Sequence, residues 1–219
     1  MQKKIVLALL MTAFTAVGAF AQLGFSVGGG GLVDMSFNNG IKPATGKGYG
    51  GIRNTSFGGF IFFDVTYAEL NVYFAHGSIT PVIIDENGKT QENDPNADKV
   101  TMTQLGFSLL GKFPIYMGNV TFFPLLGIDY NIVLSAKDGD EKDPNPGYWN
   151  QFGFLGGVGA DINITKSIFI RAEGLFHIRL PSKQVNDQKA AAEKLEPSAK
   201  LKTTWGMGPQ IKLAVGFKF

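Results

Sequence analysis

Cysteine is absent from the 219 residues, which excludes disulfides, thiolate metal sites and a cysteine nucleophile. Histidine occurs only twice, as His76 and His177, and two histidines on separate segments are thin material for a metal centre. No Ser-His-Asp set has a recognisable spacing, and the order of such sets varies with fold. The reading is therefore non-enzymatic, with no catalytic residue, no cofactor and no metal. Charge is also scarce, with Asp, Glu, Lys and Arg at 17%. After residue 21 no stretch approaches the ~20 uninterrupted apolar residues of a membrane-crossing helix.

Glycine and phenylalanine are abundant instead, at 29 and 19 residues. Gly28 to Gly31 could suggest a phosphate loop, but no Lys-Ser/Thr follows it and no helix is expected there. Glycine here fits a tight bend in a small barrel.

Residues 1–21 read as a secretory signal peptide. Lys3 and Lys4 form the charged start, Ile5 to Leu10 open the apolar run, and Ala19-Phe20-Ala21 is a small-x-small cleavage site before Gln22. Without Lys3 and Lys4 the chain carries 20 − 2 = 18 basic residues against 18 acidic ones. A net charge of zero gives no reason to expect nucleic acid as a partner.

Residues 22–219 are expected to form one domain. Its last stretch, Trp205–Phe219, alternates with period two. Met207, Pro209, Ile211, Leu213, Val215, Phe217 and Phe219 fall on one face, and Gln210, Lys212, Ala214 and Lys218 on the other. The pattern recurs along the chain, predicting strands over 23–37, 56–63, 67–76, 100–113, 120–135, 148–162, 167–180 and 205–219. The second of these is apolar on both faces, so its facing stays open. Connections alternate long and short, with 64–66, 114–119 and 163–166 as the short turns. A helix is expected within 187–195. Only helices and closed barrels satisfy the backbone in lipid. The fold class is therefore all-β, an eight-stranded antiparallel up-and-down transmembrane barrel with lipid outside and a polar lumen. Tyr49, Tyr148, Trp149 and Trp205 are placed in an aromatic girdle at the loop end. Phe25, Tyr67, Tyr116, Phe217 and Phe219 are placed in one at the turn end.

The ending Phe217-Lys218-Phe219 resembles the C-terminal signal read by the outer-membrane barrel assembly machinery. Lys212, Phe217 and Phe219 match that signal, and Ala214 stands where glycine is usual. The whole mature chain resembles the small eight-stranded outer-membrane proteins of the outer membrane protein W and outer membrane protein X type. The segments Phe62–Asn71, Leu109–Phe113 and Phe169–Glu173 are similar to small spirochaete barrels. The resemblance implies a bacterial outer-membrane location, with membrane lipid and the assembly machinery as partners. The W-type likeness implies uptake of a small hydrophobic solute through the wall, and Pro124 or Pro209 would mark an opening unless each sits at a bulge. The alternative is a surface interaction protein acting through its outer loops. Two of these are acidic, with Asp85, Glu86, Glu92, Asp94 and Asp98 in one and Asp138, Asp140, Glu141 and Asp143 in the other.

An eight-stranded barrel is just wide enough for side chains. The expected lumen network is Asp34, Glu69, Lys112, Asp129, Asp161, Arg171, Glu173, His177, Arg179 and Lys212. Buried charges need partners, and the expected pairs are Glu69 with Lys112 and, diagonally across a turn, Asp161 with Arg171.

Overall fold

The computed structural model describes residues 24–37, 41–43, 49–84, 90–92, 100–195 and 201–219. The expected signal peptide lies outside the described residues, as do the loop acids Asp85, Glu86, Asp94 and Asp98. Eight long strands follow one another: β1 (Phe25–Ser36), β2 (Tyr49–Val65), β3 (Ala68–Ile84), β4 (Val100–Lys112), β5 (Val120–Asp138), β6 (Gln151–Asn163), β7 (Ile168–Arg179) and β8 (Gly206–Lys218). Each pairs antiparallel with its chain neighbours, and β8 returns to β1 in the register Ser26↔Lys218 to Asp34↔Gln210. The sheet is therefore a closed barrel, and closure removes the free edges that an open sheet would expose.

Alternation decides which way each side chain points. Along β7, Phe169, Arg171, Glu173, Leu175, His177 and Arg179 are buried, while Ile170 and Phe176 are 43% and 49% exposed. Along β8, Gln210, Lys212 and Ala214 are buried against exposed Ile211, Leu213, Val215 and Phe217. The second strand, whose facing sequence left open, turns Ser56, Phe60, Phe62 and Asp64 inward and Phe57, Ile61 and Phe63 outward.

Several boundaries differ from expectation. The second strand is much longer than 56–63, so Asp64 lies within it rather than in a turn. Tyr148 and Trp149 belong to a short 3-10 helix, Pro146–Trp149, before β6 begins. The helix α1 starts earlier than expected and runs Lys183–Leu195. The short turn after β4 contains its own small pairing, Ile115–Met117 on Val120–Phe122, closed by Gly118 at φ 66.

Neither proline sits at a bulge. The register shift falls between Thr103 and Gln104, opposite β5, while Pro124 pairs in register with Val158 and Pro209 with Phe176. Pro124 lies where the ladder to β4 ends, just beyond Lys112↔Leu125, so no interior rung is lost there. Pro209 is different. Met207 and Phe37 exchange both backbone bonds at 2.9 and 2.8 Å. Alternate residues direct N–H to the same neighbour, so Pro209 faces Met35 on β1 with no N–H to give. The β1–β8 ladder stops at Asp34↔Gln210 and resumes only as the isolated bridge Phe37↔Met207.

Candidate functional site

The lumen holds two layers of charge separated and capped by apolar side chains. All ten residues expected there are buried, together with Asp64. The lower layer is organised by Arg171. Its Nη1 donates to Glu69 at 2.5 Å, its Nη2 to Asp64 at 2.6 Å, and its Nε to Asp161 at 2.7 Å. Register explains the need for it. Asp64 and Glu69 stand directly opposite each other on β2 and β3, and like charges so placed repel. The guanidinium fork, with five donors, can serve several carboxylates at once. Phe62, Phe123 and Phe169 surround it, with ring centres 4.2, 5.1 and 5.2 Å from Cζ.

The expected Glu69–Lys112 pair does not form. Lys112 bonds Asp64, and Glu69 bonds Arg171 and the Asn71 amide. The reason is register: Glu69 pairs across to Leu110, and Lys112 lies beyond the last rung, Ala68↔Gly111, toward Asp64. Asp161 and Arg171 do bond, as direct cross-strand partners rather than diagonally. Above them Lys212 lies 3.3 Å from Glu173, its direct partner across β7 and β8.

Arg179 organises the upper layer. It donates to Asp34 at 2.5 Å and to Asp129 at 3.2 Å. Asp129, Gly153 and Arg179 stand in one row across β5, β6 and β7, so Arg179 reaches Asp129 over a residue without a side chain. A Cβ on Gly153 would lie 2.8 Å from Arg179 Cγ and overlap the Asp129 carboxylate. Tyr73 donates to Asn131, which donates to Asp129 at 3.1 Å. His177 Nδ1 lies 3.4 Å from Asp34.

The axis is filled between these layers. At the turn end a vestibule of about 220 Å³ is lined by Asp64, Lys112, Asp161 and Lys218 among others. At the loop end only about 10 Å³ remains in a cup lined by Ser36, Ile52, Asn54, Ile79, Met102, Trp149 and Gln151. Trp149 packs on the buried cluster of Ile79, Met102, Val133 and Ala136. It is thus a lid on the lumen and not a girdle residue. Asp143 holds it, accepting from Nε1 at 2.9 Å.

Asp64 and Trp149 are the participants that sequence reading missed. For Asp64 the signal was present: Ser56, Gly58, Phe60, Phe62 and Asp64 keep period two. For Trp149 no local pattern pointed inward, because the cup it fills is assembled from β1, β2, β3, β4 and β6.

Outside, the wall is apolar. Leu126 and Val158 are 73% and 65% exposed, with Leu109, Leu213 and Phe176 alongside. Charge buried inside and apolar side chains exposed outside invert a soluble domain and match a barrel in lipid. The fold is that of the small eight-stranded outer-membrane barrels.

Three solved structures are similar to the chain along most of its length. The outer membrane protein OprG from Pseudomonas aeruginosa is 13% identical, with a TM-score of 0.46, covering 90% of this chain and 96% of its own. Neisserial surface protein A is 11% identical, with a TM-score of 0.45 and coverage of 89% and 97%. Ail, the attachment invasion locus protein of Yersinia pestis, is 12% identical, with a TM-score of 0.40 and coverage of 90% and 99%. No protein-family model and no curated protein matches the chain.

Proposed function

We propose that the protein is a non-enzymatic integral barrel of the bacterial outer membrane whose axis is sealed, and that small apolar molecules pass through its wall. In this reading residues 1–21 are removed on export, and Lys212, Phe217 and Phe219 serve the assembly machinery. The carrying observation is an adjacency. The small cup beneath the loops, where Ile52, Ile79, Met102 and Trp149 meet Asn54 and Gln151, reaches Ser36, the next residue after Met35, and Met35 is where Pro209 interrupts the β1–β8 seam. A solute that displaces Trp149 from the cup would meet the barrel wall where it lacks a rung. The charge layers below argue against passage along the axis, since eight strands leave no aqueous channel. His177 is fully buried beside Asp34, which supports a packing role and not catalysis.

The test is uptake of N-phenyl-1-naphthylamine by outer-membrane vesicles carrying the full chain, compared with Pro209→Val. Restoring the N–H is expected to slow uptake several-fold while planar-bilayer conductance stays silent in both. Uptake no faster than in vesicles lacking the protein removes the transport reading. The second reading, surface interaction, would then lead. It has its own support: β2 and β3 have 17 residues each and β5 has 19, whereas about 9–11 suffice to cross a bilayer.

A further inference from the structure

Strands β3 to β5 change character abruptly on their outward face, and β2 follows one row later, after Phe57. One cross-strand row reads Gly59, Phe74, Leu105 and Ile132, and is apolar throughout. The next row toward the loops reads Phe57, His76, Thr103 and Ser135, and the row above it Thr55, Ser78, Thr101 and Lys137. The β4–β5 register shift falls at this boundary, between Thr103↔Ser135 and Gln104↔Val133. His76 Nδ1 and Thr103 Oγ1 are 3.0 Å apart, so the polar rows begin as a bonded surface.

The upper row ends in a pair that the fold alone does not explain. Lys137 stands directly opposite Lys142 on the short return strand Glu141–Lys142. Both are exposed. Two cations in this relation are mildly destabilising, and an anion between them would relieve the repulsion. The acidic pair of the same hairpin, Asp138 and Glu141, is one step on and so faces the other way.

We propose that Thr101, Lys137 and Lys142, with Thr103, Ser135 and His76 below them, bind the phosphorylated headgroup of a lipid in the loop-side leaflet. Continuity with the wall selects a lipid. A molecule whose chains lie along Phe74, Leu105 and Ile132 carries its headgroup to these rows, because neighbouring rows are only a few ångströms apart along the strands. Charge selects phosphate, since lysines near the surface attract anionic headgroups and hydroxyls bond phosphate and sugar oxygens. The surface is independent of the seam and the cup.

The full mature chain is refolded into phosphatidylcholine vesicles with or without diphosphoryl lipid A, and bound glycolipid is measured against its concentration. The double variant Lys137→Gln/Lys142→Gln is expected to weaken binding about 30-fold, at about five-fold per lysine. Lys189→Gln/Lys194→Gln on α1 should leave it unchanged. Should the double variant not fold, Lys142→Gln alone should show about a five-fold loss. Equal losses in the two double variants, or binding unaffected by either, would overturn the site. Competition by millimolar inorganic phosphate with no dependence on the lipid chains would overturn the assignment to a lipid.

Discussion

The ring of Phe169 occupies the space above Gly216, its direct partner on β8, and a Cβ on that glycine would overlap it. The same arrangement places Phe62 over Gly28, Tyr73 over Gly106 and Phe123 over Gly159, each pair in register on adjacent strands. A narrow barrel has no room for two side chains at such a row, so each large ring takes the place of its partner's side chain. Gly216→Val should therefore destabilise the barrel by about 1–3 kcal/mol through overpacking. Adding Phe169→Leu to that variant should recover part of the loss, measured by urea unfolding in lipid vesicles. An unchanged midpoint for Gly216→Val would show that the ring can move aside at no cost.

The lower charge layer depends more on Arg171 than on Lys112. Arg171→Met leaves Asp64, Glu69 and Asp161 without their shared partner, and breaking a buried ion pair costs about 3–5 kcal/mol. Lys112→Ala should cost clearly less, because Arg171 still donates to Asp64. Urea midpoints for the two variants give the order directly, and the reverse order would contradict the bonding described above.

The lipid wall is tested at Leu126, which is 73% exposed on the outer face. Leu126→Arg should cost about 2–4 kcal/mol near mid-bilayer. The measurement is unfolding in vesicles, together with the fraction that reaches the heat-modifiable folded band. Wild-type stability in that variant would place Leu126 away from the hydrocarbon.

Trp149 reports on the lid. With Trp205→Phe it becomes the sole tryptophan. Its emission should then be blue-shifted and poorly quenched by acrylamide. Asp143→Ala removes the acceptor of its Nε1 proton and should shift emission to the red and raise quenching about two-fold or more, since one lost hydrogen bond of about 1 kcal/mol is enough to repopulate an open lid. A Trp149 already fully quenchable in the parent would mean that the cup stands open.

Much of the barrel was readable because period two is a local property. The inward set of β7, from Phe169 to Arg179, follows from alternation alone, as does the outward set of β8. Facing failed in the second strand where both faces are apolar, since Phe60 and Phe62 fill the lumen while Ile61 and Phe63 meet lipid. In a narrow barrel aromatics serve both sides, so hydrophobicity alone loses its sign. Asp64 was misplaced for a related reason. An acid next to a short turn usually belongs to solvent, and it takes the distant cations Lys112 and Arg171, the second more than a hundred residues on, to give it a place inside.

The sequence by itself determined that strands would alternate, that charges would collect on one face of them, and that the other face would suit lipid. These follow from the geometry of a single strand. Which charges meet, and which glycines lie under which rings, was decided by the tertiary structure. Pairing in the lumen depends on the stagger between strands, and a shift of one residue exchanges every partner. Glu69 lost Lys112 to that stagger and gained Arg171 from across the barrel. Only closure of β8 onto β1 brings Pro209 opposite Met35, where its missing N–H leaves the seam one hydrogen bond short.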